Sequence, residues 1–484
     1  MIRAGAFAAE EPLRPNIIFF MVDDGSYGDL GCFGQKRYHT PALDRLAAEG
    51  TVFTNAYTGG AWCAPSRTSL LTGLRPDHWK VRLEDGDASY PTLGELMQKA
   101  GYATGFFGKW HMKDRPSRQK YLPSQRGFDR VLSAFDTPGL PDIGHQFHFP
   151  PVMMADGKVI AIEKNAKLSL PKDYLWTYRK QGGQAITYDE AGDFRDKNGN
   201  TDVEYAEDLY RAAAVEFIRK NRDKPFFMYY TTPLVHGPLM VKNLGRFKDI
   251  EKQDERWTLP RKLWAAMVEE TDKSVGILLA ELKKQGLAHN TLVIYTADNG
   301  YSAWGYGLGK RPWGDDPFLK NKGIPADRGK FINANGGWQV PLIAWWPGKV
   351  SAGESGKAVC FYDMMPTFAE LAGVKLKWPT DGVSIVPLLA GRPEAQPPRP
   401  ALFFPVEASF NRWREYEKGN PYDAVLLDER YYAYSIVADA ESENPTVRVF
   451  DLSVDPGCRV GLFKTQPELA ARLAKRALQV FRSK

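Results

Sequence analysis

The apolar positions of this 484-residue chain fall into short strand-sized runs separated by stretches of helical period. Residues 16–22, NIIFFMV, are continuously apolar over strand length, which predicts a strand buried on both faces. Residues 41–49, PALDRLAAE, carry Pro at the start and Gly50 just past the end, the punctuation of a helix. Residues 51–57, TVFTNAY, alternate as a strand does. Residues 91–100 repeat the Pro-led helix with Gly101 as its stop, and 102–107 return to a strand. Helical patterns over 202–221 and 262–285 are each followed by an apolar strand, at 225–231 and 291–297. A strand at 340–346 and a helix at 363–372 continue the series. This alternation predicts an α/β fold with a large mixed, mostly parallel sheet sandwiched by helices.

Two stretches break the rhythm. Residues 113–200 are rich in Pro, Gly and polar residues and read as an irregular insertion within a catalytic α/β domain over 10–390. After the Pro-rich GRPEAQPPRP, strand-like aromatic runs at 401–405, 423–427, 430–437 and 446–452 precede a helix at 466–482. They predict a smaller C-terminal α+β subdomain over 391–484, an antiparallel sheet plus a helix.

Composition narrows the class without choosing a function. The chain is 43% hydrophobic and 25% charged, ordinary for a globular protein, and no apolar run is long enough to span a membrane. Lys+Arg 64 against Asp+Glu 58 leaves +6, which suits a polyanionic substrate. The excess is too small and too dispersed for nucleic acid, and no nucleic-acid motif is present. Residues 4–9, AGAFAA, look like the tail of a secretory signal with an A-x-A site at Ala6-Phe7-Ala8. This predicts a trimmed export signal and a periplasmic or secreted location. Four cysteines in such a length are no disulfide framework. If Cys63 is modified, Cys32, Cys360 and Cys458 leave room for one bridge at most.

Candidate chemistry gathers where strands end, the place where open α/β sheets build sites. NIIFFMV ends in Asp23-Asp24-Gly25, and YATGFFGK ends in Lys109 with His111 two residues on. FFMYYTTPLV leads to His236, and TLVIYTA ends in Asp298-Asn299-Gly300. Asp23, Asp24, Asp298 and Asn299 offer only hard oxygen ligands, which suit Ca²⁺ or Mg²⁺ rather than zinc. DDG and DNG are each good turn sequences, but one after each of two buried strands points to a metal. Cys63 stands ahead of a helix start marked by Pro65, and Arg67 adds a cation there. A helix N-terminus with a guanidinium suits an anion such as sulfate or phosphate.

The string CAPSRTSLLTG at 63–73 resembles the signature of the type I, formylglycine-dependent sulfatases of the alkaline-phosphatase-like superfamily. VDDGSYGDLGCFG (22–34), GKWH (108–111), PLVHGP (233–238), ADNG (297–300) and GKFINANGGWQVPLIAWWPG (329–348) resemble further segments of that family. The resemblance runs over most of 15–390. It implies a sulfuric ester hydrolase in which a maturation enzyme oxidises Cys63 to formylglycine, whose hydrate attacks sulfur. It implies Ca²⁺, with Mg²⁺ as the other candidate, held by Asp23, Asp24, Asp298, Asn299 and the modified Cys63. Arg67 and Lys109 would hold the diol, and Lys330 and His236 would bind sulfate oxygens. His236 or Lys330 would protonate the leaving oxygen, and His111 would take the proton whose loss expels sulfate. Two departures stand out: two residues separate Pro233 from His236, and Asn335 replaces the usual acid before the Gly pair.

The expected substrate is a sulfated carbohydrate, with Trp176, Trp257, Trp304, Trp313 and Trp338 as candidate platforms for sugar rings. The insertion and the C-terminal unit would wall the subsites. Two other functions fit the same motifs: a formylglycine-dependent phosphodiester or phosphonate monoester hydrolase, and an inactive sulfoglycan-binding homologue. GKWH and the Lys330 stretch favour sulfate over phosphate, and an oxidisable Cys in an intact motif favours an enzyme over a binder.

Overall fold

The computed structural model describes residues 13–78, 90–112, 122–134, 148–168, 187–196, 198–300, 329–330, 335–399, 401–405, 424–436, 446–455, 458 and 460–482. The signal-like stretch at 4–9 lies outside them, as do Trp176, Trp304 and Trp313. In chain order the strands are β1 (Asn16–Val22), β2 (Thr51–Phe53), β3 (Ala56–Tyr57), β4 (Ala103–Gly108), β5 (Arg130–Ser133), β6 (Val152–Ala155), β7 (Lys158–Ala161), β8 (Thr187–Tyr188), β9 (Phe194–Arg195), β10 (Phe226–Thr232), β11 (Thr291–Ala297), β12 (Leu342–Trp345), β13 (Gly353–Ser355), β14 (Val359–Cys360), β15 (Ala401–Phe404), β16 (Ala424–Leu427), β17 (Tyr431–Ile436) and β18 (Thr446–Asp451). Ten form one sheet in the order β13-β2-β12-β11-β1-β10-β4-β5-β6-β7.

The wholly apolar β1 sits inside this sheet, parallel to β10 and β11, with Ile17 opposite both Phe227 and Leu292. β4 runs parallel to β10, so β11, β1, β10 and β4 end side by side at one edge. β12 runs antiparallel to β11 and β2, which makes the sheet mixed. Side chains alternate across it. Phe19 meets Phe361 and Phe368 edge-on, while Phe20 stacks on Tyr230 and Tyr295.

Helices cover both faces. They are α1 (Pro41–Glu49), α2 (Cys63–Thr72), α3 (Leu93–Lys99), α4 (Ala206–Lys220), α5 (Leu259–Lys284), the short α6 (Asn335–Trp338), α7 (Met364–Ala372) and α8 (Val386–Leu389). α7, packed with α2 and α3, covers the Phe19 face; α4, with α5 and then α1, covers the Phe20 face. α3 starts where Thr92 and Glu95 form a capping box, and Pro41 opens α1 as the sequence predicts. A separate four-stranded antiparallel sheet, β15-β16-β17-β18, carries the closing helix α9 (Pro467–Arg482), whose Leu473 and Ala477 join Val425 and Val449 in one core. The α/β architecture and the C-terminal sheet-plus-helix are those the pattern predicts.

Some local expectations change. The strand expected over 51–57 is two: β2 in the main sheet and β3 paired with β14, the chain changing sheets at Thr54-Asn55. Within 113–200, expected to be irregular, β5, β6 and β7 extend the main sheet to its edge. These strands are four residues each, too short for a periodic signal. Trp257 stacks on Phe247 in a buried cluster, and Trp338 lies buried against Phe404, so neither is a platform for sugar. None of the four cysteines is in a disulfide, and Cys63, Cys360 and Cys458 are buried. Among the described residues no helix is long and apolar enough to cross a membrane.

Candidate active site

The four adjacent parallel strands deliver the predicted residues to one place. Asp23 and Asp24 follow β1, Lys109 follows β4, His236 follows β10, and Asp298 and Asn299 follow β11. Cys63 is itself the first residue of α2, with Trp62 as its N-cap, so the helix begins two residues before Pro65 and Cys63 stands in it rather than ahead of it. Ligand atoms of Asp23, Asp24, Cys63 and Asp298 lie within 4.8 Å of one another, all buried.

Asp24 (φ 63°) and His111 (φ 51°) both sit in the left-handed region, which non-glycine residues seldom adopt. At Asp24 this turn lets the backbone N–H donate to Asp298 Oδ1 at 3.1 Å while the side chain accepts from Asn299 Nδ2 at 2.8 Å. Gly300 is required by a close approach: a Cβ there would lie 1.9 Å from the carbonyl oxygen of Gly336. The Gly pair of the GGW segment is thereby seated on the Asp-Asn-Gly turn. Asn335 opens α6 and donates to Gln339 Oε1 at 2.9 Å.

Three carboxylates face three fixed cations: Asp23 meets Lys109 at 2.5 Å, Asp298 meets Arg67 at 2.8 Å, and Asp24 meets Lys330 at 2.6 Å. Arg67 also donates to the carbonyl of Lys109 at 2.8 Å and to Thr231 Oγ1. Thr231 is a site residue that motif reading passes over; its signal was the polar Thr pair closing an otherwise aromatic strand. The Cys63 thiol lies 3.4 Å from Asp23 Oδ1 and accepts from Lys330 Nζ at 3.2 Å. His236 Nε2 stands 3.9 Å from Asp24 Oδ2, and its Nδ1 lies 2.6 Å from the carbonyl of Gly237. The rings of His111 and Trp62 meet edge-on at 6.1 Å.

Burial and charge set the protonation states. Burial pushes the Cys63 thiol up, and the charges of Asp23 and Asp298 push it further, so it stays protonated. Burial alone would raise Asp23, but Lys109, His236, Arg67 and Lys330 together hold it well below the usual carboxylate range. Burial, with the neighbouring Asp23, lifts Asp298 to about 6. Burial opposes the charge of Lys330, yet Asp24 and the groups around it keep it an ammonium. Burial, then Lys109 and Arg67, drive His111 well down, and burial first brings His236 to about 4. Both are therefore neutral imidazoles near pH 7.

Two oxygens of this cluster, Asp24 Oδ2 and Asn299 Oδ1, are buried without a hydrogen-bond partner. Each such group costs about 1–3 kcal/mol. A hard divalent cation would satisfy both, and an all-oxygen set beside Cys63 is the donor chemistry that Ca²⁺ or Mg²⁺ takes.

Comparison with known proteins agrees with this geometry. Residues 15–374 match the family model Sulfatase. Rat N-acetylgalactosamine-6-sulfatase is 33% identical over 399 residues, 78% of this chain and 66% of that protein, so the match spans about two thirds of the relative's length. Human arylsulfatase A is 30% identical over 479 residues, 94% of this chain and 84% of that protein. Among solved structures, Ps i-CgsB in complex with a neocarrahexaose superposes with a TM-score of 0.66 at 25% identity, covering 96% of this chain and 92% of that one. With the family model matched over most of its length and arylsulfatase A matched nearly end to end, this chain belongs to the sulfatase family of sulfuric ester hydrolases.

Proposed function

We propose that this sulfatase removes sulfate from a sulfated carbohydrate, with Cys63 converted to formylglycine by a maturation enzyme. Asp23, Asp24, Asp298, Asn299 and position 63 would hold Ca²⁺. The observation that carries the reading is a buried thiol fixed between Lys330 Nζ and an Asp23 oxygen, beside two buried oxygens with no hydrogen-bond partner. A thiol kept protonated is a poor nucleophile, which supports chemical conversion of position 63 rather than thiolate attack. Hydrated, an aldehyde there supplies one hydroxyl to attack sulfur and a second whose deprotonation releases sulfate. A bound divalent cation supplies positive charge for the developing oxyanions.

The remaining work falls to side chains already in place. Arg67 anchors Asp298 and the Lys109 backbone, fixing the frame around position 63. Lys330 stays charged and neutralises sulfate oxygens. His236 in its protonated form, or the Lys330 ammonium, would donate a proton to the leaving oxygen, and neutral His111 would accept the proton from position 63. The carbohydrate assignment draws on the relative that acts on N-acetylgalactosamine 6-sulfate by its name, and on the similar structure solved with a neocarrahexaose.

The test is sulfate release by ion chromatography from sulfated oligosaccharides, an aryl sulfate and an aryl phosphodiester, with matured protein and with Cys63→Ala. Release from one sugar class, lost in the variant, is expected. Phosphodiester turnover with no sulfate release would replace this reading with the diesterase. Silence across the panel with an aldehyde at position 63 would favour a binding role.

A further inference from the structure

The site has a buried floor and a half-buried rim. Asp23, Cys63, Lys109, Asp298 and Lys330 are buried, whereas Trp62, His111 and His236 are each partly exposed. A sulfate group that enters the charged floor leaves the ring that bears it at the rim. Of the three rim groups the two histidines are titratable and Trp62 is not. Its indole precedes Cys63 directly and is fixed by the edge-on contact with His111, at 6.1 Å and 72° between planes. A large apolar face beside so polar a floor suits the C–H face of a sugar or the face of an aryl group. Trp257 and Trp338, the two described tryptophans among those the sequence offers for this role, are packed away in cores.

We infer that the Trp62 indole is the wall on which the ring of the substrate packs, so that this residue selects ring-bearing sulfate esters over acyclic ones. The inference rests on the sulfatase reading of the same site. It is tested by calorimetric binding of galactose 6-sulfate, 4-nitrophenyl sulfate and ethyl sulfate to Cys63→Ala protein and to the same protein carrying Trp62→Ala. The two ring ligands should lose about tenfold in affinity, ethyl sulfate should be unchanged, and Trp62→Phe should restore most of the loss. Equal weakening of all three ligands would show that Trp62 only props the pocket, and would overturn the inference. So would unchanged ring affinity, or no ring-sulfate binding to Cys63→Ala at all. Turnover by the Trp62→Ala protein with position 63 intact separates the two readings. Sulfate release by Trp62→Ala that still favours ring esters over acyclic ones as strongly as the wild type sinks the role of Trp62 alone, and no release even from the wild type sinks the proposed function.

Discussion

On one face of β10, Glu207 is buried with both oxygens occupied: Oε1 accepts from Tyr230 at 2.7 Å and Ser274 at 2.6 Å, and Oε2 accepts from Thr232 at 2.6 Å. At the end of the neighbouring β1, Asp24 is just as buried, yet its Oδ2 has no partner, and neither has Asn299 Oδ1 beside it. Burial is the same and satisfaction is not. Burial raises the Glu207 carboxyl; Arg211 and the three hydroxyls oppose it, and the result is a closed knot tying α4 and α5 to the sheet. The cluster beside Cys63 pairs three carboxylates with three cations but leaves two buried oxygens, Asp24 Oδ2 and Asn299 Oδ1, without a hydrogen-bond partner. A closed network serves the fold, and an open one at the carboxyl ends of parallel strands serves a ligand.

The comparison can be broken by substitution. The largest effect is expected from Cys63→Ala, which should lose more than about a thousandfold in sulfate release while the melting temperature holds. A variant that keeps wild-type turnover would remove position 63 from the chemistry. Glu207→Ala should do the reverse. It leaves the hydroxyls of Tyr230, Thr232 and Ser274 buried without their acceptor and should cost about 3 kcal/mol in denaturant unfolding. Its kcat/KM should stay near the wild-type value at temperatures where it is folded. A large loss of activity in folded Glu207→Ala would mean that the two clusters are not separable.

The pH profile sharpens the contrast. His236 is depressed to about 4, so its protonated form exists mainly below that pH. As proton donor to a poor leaving group it predicts kcat/KM falling as pH rises above about 4, and His236→Gln should flatten that limb. The stability sign is opposite. His236, and equally His148 at about 4, stabilise the fold fully above the unfolded histidine value of 6.5. That contribution is lost as pH falls through about 4, which acid melting curves would read. The smallest effect is expected from Thr231→Val, which removes one acceptor from Arg67. About 1 kcal/mol, roughly fivefold in kcat/KM, is the expected loss; no change would assign the whole burden of Arg67 to Asp298 and the Lys109 carbonyl.

The strands that carry the site were the easiest part of the chain to read. β1 and β11 are continuous apolar runs that end abruptly in Asp, so sequence and structure agree on them residue for residue. The candidate ligands stand at strand ends, and reading the strands therefore brings Asp23, Asp24, Asp298 and Asn299 together. What escaped depended on tertiary context. β5, β6 and β7 are held by the edge of an existing sheet, and the break at Thr54-Asn55 is made by the partners of two different sheets. Arg67 was legible as a cation, but not as the group that ties Asp298 to β4 and β10. Trp62 was silent because a tryptophan beside a motif has no spacing of its own, and Thr231 gave only the weak signal of a polar pair closing its strand; only the floor and rim of the folded site separate them from packing residues.

The demand for a cation is the feature that distinguishes the two clusters, and it can be measured without turnover. Calcium would be titrated calorimetrically into metal-free protein, wild type beside Asp24→Ala, with the melting temperature followed in parallel. One bound Ca²⁺ and a higher melting temperature in the wild type, both lost in Asp24→Ala, are predicted. A wild type that neither binds calcium nor gains stability from it, or an Asp24→Ala protein that binds it as well, would contradict an open site built for a metal.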